Sequence, residues 1–167
     1  MSAWNGSKGR LLVVEDDPAG RELLLELLGE EGYAVECACD AESAWQRLDG
    51  GGPSIETVLL DWVLPGRTGL DLLKQIKRDE RFETIPVVFQ TAKSDRETML
   101  EGIAAGAFYF VTKPLDPEML LSVTRAAIED HERYQSLQET LRRGADAIAT
   151  LERGTFRLRS LQQATAL

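Results

Sequence analysis

Three carboxylates, a hydroxyl and an ammonium each follow a short apolar run. Glu15 and Asp16 come after Leu11–Val14, and Asp61 after Ile55–Leu60. Thr91 comes after Ile85–Gln90, and Lys113 and Pro114 come after Ala107–Thr112. If the runs are strands of one parallel sheet, all these ends lie along one edge, where such sheets bind ligands. Three carboxylates held together repel, and they stay ionised only if a cation joins them. A hard divalent ion with oxygen ligands suits the set, and Mg²⁺ is the usual ion where phosphate is also handled. Waters, a backbone carbonyl and a phosphoryl oxygen would fill its other positions. Lys113 offers a point charge to a second phosphoryl oxygen, and Thr91 offers a hydrogen bond to a third. Phosphoryl transfer requires this positioning and neutralisation of charge. An aspartate carboxylate is an established acceptor.

The elements that must position these groups alternate. Leu11–Val14 suits a buried strand. Asp17-Pro18 reads as an N-cap with proline in the first turn, which explains Asp17 better than a metal contact does. Leu23, Leu24, Leu27 and Leu28 follow at helical spacing, and Gly32 closes the helix. Tyr33–Cys39 is a less apolar second strand, as an edge strand is. Its two cysteines, Cys37 and Cys39, too few for a metal site, are expected to pack as small apolar residues. Asp40 caps a helix through Leu48, and Gly50-Gly51-Gly52-Pro53 is a loop. Gly69–Lys77 forms a third helix. Ser94 and Glu97 predict a capping box for the fourth, and Asp116-Pro117 repeats the device of the first. The aromatic run Phe108–Phe110 suits a last strand covered on both faces. Five strand–helix units imply an α/β fold with a parallel sheet covered on both sides.

From Leu120 onward the apolar residues fall on a seven-residue repeat. One seam runs Leu120, Ala127, Tyr134, Leu141, Ile148, the other Val123, Asp130, Leu137, Gly144, Leu151, with Asp130 and Gly144 as breaks. This predicts a long helix that forms a coiled coil with a second copy, giving a homodimer, or else folds back on its own domain. Thr155–Leu158 reads as a short strand, and Leu161–Leu167 as the start of another helix. His131, the only histidine, is expected on a solvated helix face.

The chain has 167 residues, 43% of them hydrophobic, enough for one buried core with several tens of residues left over. The net charge is −9. Residues 1–120 carry 12 Lys/Arg against 22 Asp/Glu, and residues 121–167 carry 7 against 6. That balance argues against direct nucleic-acid binding. The absence of a signal peptide or an apolar span argues against a membrane and for the cytoplasm.

The stretches LLVVEDDP (11–18), LLDWVLPGRTGLDLL (59–73), PVVFQTAKSD (86–95) and GAFYFVTKPL (106–115) resemble the response regulator receiver domain of two-component signalling. The resemblance covers about Arg10 to Asp130. It leaves residues 1–9 as a leader and 131–167 as a helical extension toward an output domain. It implies a flavodoxin-like doubly wound five-stranded sheet in the order 2-1-3-4-5, with an extended C-terminal helix. It makes Asp61 the phosphoacceptor, Asp16 a direct Mg²⁺ ligand, Glu15 a ligand through water, and Val63 the donor of a backbone carbonyl to the metal. Thr91 becomes the switch hydroxyl, Lys113 the phosphate-binding lysine before a cis Pro114, and Phe110 the switch aromatic. Phe110 lacks a tyrosine hydroxyl, and Thr68 replaces a usual aspartate. Trp62 is expected to point away from the acidic group.

The implied function is a phosphorylation-dependent switch, charged by a sensor histidine kinase or phosphotransfer protein, with no separate turnover substrate. The alternative is a phosphorylation-independent dimerisation scaffold with a silent pocket. A haloacid-dehalogenase-type phosphatase would need a second aspartate where Val63 stands. A flavodoxin-like cofactor site would not place Glu15, Asp16 and Asp17 against a phosphate. The segment Gly154–Leu167 resembles the beginning of a histidine-kinase-like ATPase domain of the anti-sigma serine kinase type, in which a strand leads into a helix. ATP binding by this chain is not expected.

Overall fold

The computed structural model describes residues 7–92 and 95–164. Strands and helices alternate throughout: β1 (Arg10–Val14), α1 (Pro18–Glu30), β2 (Ala34–Ala38), α2 (Ala41–Asp49), β3 (Thr57–Asp61), α3 (Gly69–Arg78), β4 (Val87–Thr91), α4 (Arg96–Ala104), β5 (Tyr109–Thr112) and α5 (Pro117–Ala164). All strand pairs are parallel, and the order is β2-β1-β3-β4-β5. β1, β3 and β4 have neighbours on both edges and helices on both faces, which is why they read as unbroken apolar runs.

Alternation along the strands divides the core. Leu12, Leu60 and Phe89 pack with Leu48 of α2 and with Leu72 and Leu73 of α3. Leu11, Val13, Leu59, Val88 and Val111 pack on the other face with Leu24 and Leu28 of α1 and with Leu120 and Ala127 of α5. Each of these Leu, Val and Phe side chains, removed wholly from water, contributes about 1.5–3 kcal/mol.

Short polar side chains begin the helices. Asp17 accepts from the Gly20 N–H at 2.8 Å, Asp40 from that of Ser43 at 2.7 Å, and Asp116 from that of Glu118 at 2.9 Å. Thr68 and Asp71 form a capping box at α3, so the threonine that departs from the family pattern has its own local work. At α4 the cap is Asp95, which accepts from the Thr98 N–H at 2.9 Å. The expected Ser94 cap lies outside the described residues. The carboxylate of Asp95 performs the capping that the capping-box reading gave to the serine.

Four expectations are corrected. The last strand is not covered on both faces: Phe108 and Tyr109 are exposed, and β5 lies at an edge of the sheet. His131 is buried, 4% exposed, with Nδ1 3.3 Å from the Thr84 carbonyl oxygen. The inward face of α5 runs through Ala127 and Ile128, and residue 131 falls on the same face, four positions after the first and three after the second. Cys37 and Cys39 are exposed, one on the edge strand β2 and one just past its end. Thr155–Leu158 is helix, continuous with α5 through Ala164. The strand that an ATPase-type output domain would begin with is therefore absent over these residues.

The chain forms two units, one ending at Glu132 and one beginning at Arg133. In the second, Leu137, Leu141, Ile148 and Leu151 are exposed apolar residues of α5. No described helix is long and apolar enough to cross a membrane.

Candidate functional site: an acidic cluster at the sheet edge

The site forms because β1, β3, β4 and β5 end side by side. Glu15 and Asp61 are buried, while Asp16 is exposed. One carboxylate oxygen from each of the three lies within 4.8 Å of the others. Lys113 reaches in from the end of β5, with Nζ 2.8 Å from Glu15 Oε2 and 2.7 Å from Asp61 Oδ2. The Lys113-Pro114 peptide is cis, and the Lys113 N–H donates to the Thr91 carbonyl at 2.8 Å, tying the ends of β4 and β5 together.

Two further contacts hold the acidic residues. The Val63 N–H donates to Asp61 Oδ1 at 3.0 Å. Arg21 of α1 donates to the backbone carbonyls of Glu15 and Asp16 at 2.7 and 2.8 Å. Arg21 was not singled out in the sequence, because a cation one turn into a helix has no motif of its own.

Electrostatics follow from burial. Desolvation raises the Glu15 carboxyl above its ordinary value, and the hydrogen bond from Lys113 only partly offsets this. For Lys113, burial opposes the charge, but hydrogen bonds to Asp61 and Glu15 prevail and hold its pKa above the ordinary value. One ammonium thus bridges two carboxylates whose combined charge exceeds its own. A hard cation would supply what is missing, and the oxygen-only donor set of Glu15, Asp16 and Asp61 fits Mg²⁺.

The opposite face at this edge is aromatic. Trp62 turns away from the carboxylates and packs on Phe89, with ring centroids 4.8 Å apart. Phe110 stacks on Phe89 at 5.3 Å and lies 6.2 Å from Trp62. Thr91 is buried at the end of β4. Two glycines permit the arrangement. A Cβ on Gly69 would come within 2.1 Å of the Asp61 carbonyl oxygen, and one on Gly102 within 2.3 Å of Phe110 Cζ. Neither requirement was visible in the sequence, where both residues read only as helix positions.

Residues 11–125 match the family described as "Response regulator receiver domain". The chain belongs to this family. Receiver domains bind Mg²⁺ at an acidic pocket and accept phosphoryl groups from histidine kinases, and this chain carries the acidic cluster Glu15, Asp16 and Asp61. Members generally act as signalling switches rather than as enzymes on a separate substrate.

Relatives of this receiver include the phosphate regulon transcriptional regulatory protein PhoB of Escherichia coli K12, 36% identical over 119 residues, which cover 71% of this chain and 51% of the relative. The transcriptional regulatory protein AruR of Pseudomonas aeruginosa is 43% identical over 117 residues, covering 68% and 46%. The chain spans about half the length of the curated relatives it matches. Among solved structures, a putative response regulator from Chloroflexus aurantiacus superposes with a TM-score of 0.68 at 30% identity, covering 72% of this chain and 98% of that one. The chemotaxis protein CheY4 of Vibrio cholerae gives 0.67 at 26% identity, covering 71% and 98%. Since the curated relatives are named as transcriptional regulators, the exclusion of nucleic acid drawn from net charge has no support from the family.

Proposed function

We propose that this receiver accepts a phosphoryl group on Asp61 from a sensor histidine kinase or phosphotransfer protein. An Asp61 carboxylate oxygen attacks phosphorus, an O–P bond forms, the P–N bond to the donor histidine breaks, and the imidazole keeps the electron pair and takes a proton. Bound Mg²⁺ supplies charge neutralisation for the phosphoryl oxygens. Asp16 and Asp61 would hold it directly, Glu15 through water, and Val63 through its backbone carbonyl. The Val63 N–H orients the Asp61 carboxylate from one side, and Lys113 holds it from the other. Lys113 then pairs with a phosphoryl oxygen, and the Thr91 hydroxyl donates to another.

The observation that carries this reading is the bridging of Lys113 Nζ between Glu15 and Asp61. A charge added at Asp61 gives that ammonium a stronger partner and draws the ends of β4 and β5 inward. Phe110, stacked on Phe89 beside Gly102 of α4, is placed to follow Thr91. Residues 10–130 form the receiver, preceded by a short leader. Residues 131–167 form an extension whose exposed seam of Leu141, Ile148 and Leu151 pairs with a second copy and carries the change to an output.

The test is incubation with Mg²⁺ and acetyl phosphate, read by intact mass beside Asp61→Asn. Gain of one phosphoryl group, absent in the variant, is expected. No gain in the folded wild type, with beryllofluoride also failing to bind, would leave a phosphorylation-independent dimer scaffold.

A further inference from the structure

The three carboxylates at the sheet edge are not held alike. That of Glu15 accepts from Lys113 Nζ at 2.8 Å and from the Asp17 N–H at 3.2 Å. That of Asp61 accepts from Lys113 Nζ at 2.7 Å and from the Val63 N–H at 3.0 Å. Asp16 is exposed, and among the described residues its carboxylate has no hydrogen bond or ion pair. Its backbone is what is held. Arg21 of α1 reaches back with one guanidinium nitrogen, Nη1, and donates to the Glu15 carbonyl at 2.7 Å and to the Asp16 carbonyl at 2.8 Å. The Arg21 N–H donates to the Asp17 carbonyl at 3.0 Å, which ties the same residue into the first turn of the helix.

A charged donor makes stronger hydrogen bonds than a neutral one. The Glu15 and Asp16 carbonyls belong to the peptide groups on either side of the Asp16 α-carbon. Fixing both sets the direction in which the Asp16 side chain leaves the backbone. Charge alone gives Arg21 the opposite effect. A guanidinium beside a cation site repels the cation, so on Coulomb's law by itself the site would bind more tightly without it. Positioning and repulsion therefore differ in sign, and the sign can be measured.

We propose that Arg21 is a positioning residue for the divalent cation, holding the backbone of Asp16 so that its carboxylate stands beside those of Glu15 and Asp61 before the ion arrives. This rests on the reading that the cluster takes Mg²⁺ with Asp16 as a direct ligand. A ligand already in place loses less conformational entropy when the ion binds. Glu15 and Asp61 keep their own supports without Arg21, since Lys113 and the Asp17 and Val63 N–H groups hold their carboxylates and the Glu15 N–H donates to the Ala38 carbonyl at 3.1 Å. The loss on removing Arg21 thus falls on affinity for the ion, not on the reactivity of Asp61 once the ion is bound.

The test titrates the full chain with Mg²⁺ and takes the dissociation constant from the NMR shifts of the Asp16, Asp61 and Trp62 N–H groups. Arg21→Met removes the donors and the charge and keeps a long side chain. It is expected to raise the constant about ten-fold or more. In an Asp16→Asn background the same change is expected to raise it less than about two-fold, because the carboxylate that Arg21 places is gone. With acetyl phosphate, the Mg²⁺ concentration giving half the maximal rate of mass gain is expected to rise in step. The rate at saturating Mg²⁺ is expected to fall by less than about two-fold. An unchanged constant in Arg21→Met overturns the proposal, and a lower one overturns it in favour of simple repulsion. An equal loss in the Asp16→Asn background also overturns it, as does a fall of the saturated rate with no change in half-saturation. If Arg21→Met lacks the shift dispersion of a folded chain, Arg21→Gln, neutral and shorter, takes its place with the same expectations. A wild type with no Mg²⁺-dependent shift at these groups is a separate failure, of the reading that the cluster binds the ion, and the proposal falls with it.

Discussion

The α-carbon of Gly69 stands against the carbonyl oxygen of Asp61, so closely that a Cβ would approach to 2.1 Å. The Gly69 N–H also donates to the Trp62 carbonyl at 3.1 Å. The start of α3 and the end of β3 are thus locked together at the acceptor. A backbone oxygen cannot move aside as a side-chain tip can. Gly69→Ala is therefore expected to lose about 3 kcal/mol, in the manner of an overpacked core. Urea unfolding checks the stability, and the rate of mass gain with acetyl phosphate is expected to fall with it, since Asp61 must shift.

Gly102 gives a second close approach, this time relieved by a partner. A Cβ there would meet Phe110 Cζ at 2.3 Å. Gly102→Ala alone is expected to cost about 1–3 kcal/mol through the displaced ring. In a Phe110→Leu background the contact with Phe110 Cζ goes and only Trp62 Cζ3, at 3.2 Å, stays close, so the cost is expected to fall by about 1 kcal/mol or more, helped by the better helix propensity of alanine. A double-mutant cycle in urea measures the difference.

Acid is expected to weaken the helix starts at Asp40 and Asp71. The Ser43 N–H and hydroxyl hold the Asp40 carboxyl below its ordinary value of 3.8. The Thr68 hydroxyl and N–H do the same for Asp71. Folding depresses both pKa values, so their contribution is complete above about pH 4 and is lost as the pH falls through the folded values. Asp40→Asn and Asp71→Asn are each expected to flatten the fall of the urea midpoint between pH 5 and pH 2. An unchanged slope in both would contradict this account.

Leu141 is exposed on the extension. Leu141→Glu is expected to leave the melting temperature of the receiver unchanged and to weaken self-association at least ten-fold, about 1.4 kcal/mol. Sedimentation over a concentration series measures this. An equal association constant in the variant would remove the seam from the dimer.

Much of the fold and the convergence of charged residues was legible in the sequence because both depend on local signals. The apolar runs of β1, β3 and β4 are short and continuous, the aspartates before α1, α2 and α5 are caps, and the alternation of elements demands a parallel sheet. Once the sheet is parallel, Glu15, Asp16, Asp61, Thr91 and Lys113 share one edge by their position after each strand. The edge character of β2 was also legible in its weaker apolarity. The exposure of Cys37 and Cys39 was not, because burial depends on what packs against the strand rather than on its own residues.

The sequence by itself determined the order of elements and which polar residues meet at the sheet edge, since periodicity and capping act within a few residues. Only the tertiary structure decided who pairs with whom. It set Lys113 between Glu15 and Asp61, buried His131 where α5 continues its inward face, and left Gln90 and Thr124 as unpaired polar groups in an apolar layer. It also made Gly69 and Gly102 indispensable to the packing. Each of these depends on what an element far away in the chain places opposite, and burial and contact distance are properties of that pairing rather than of either segment.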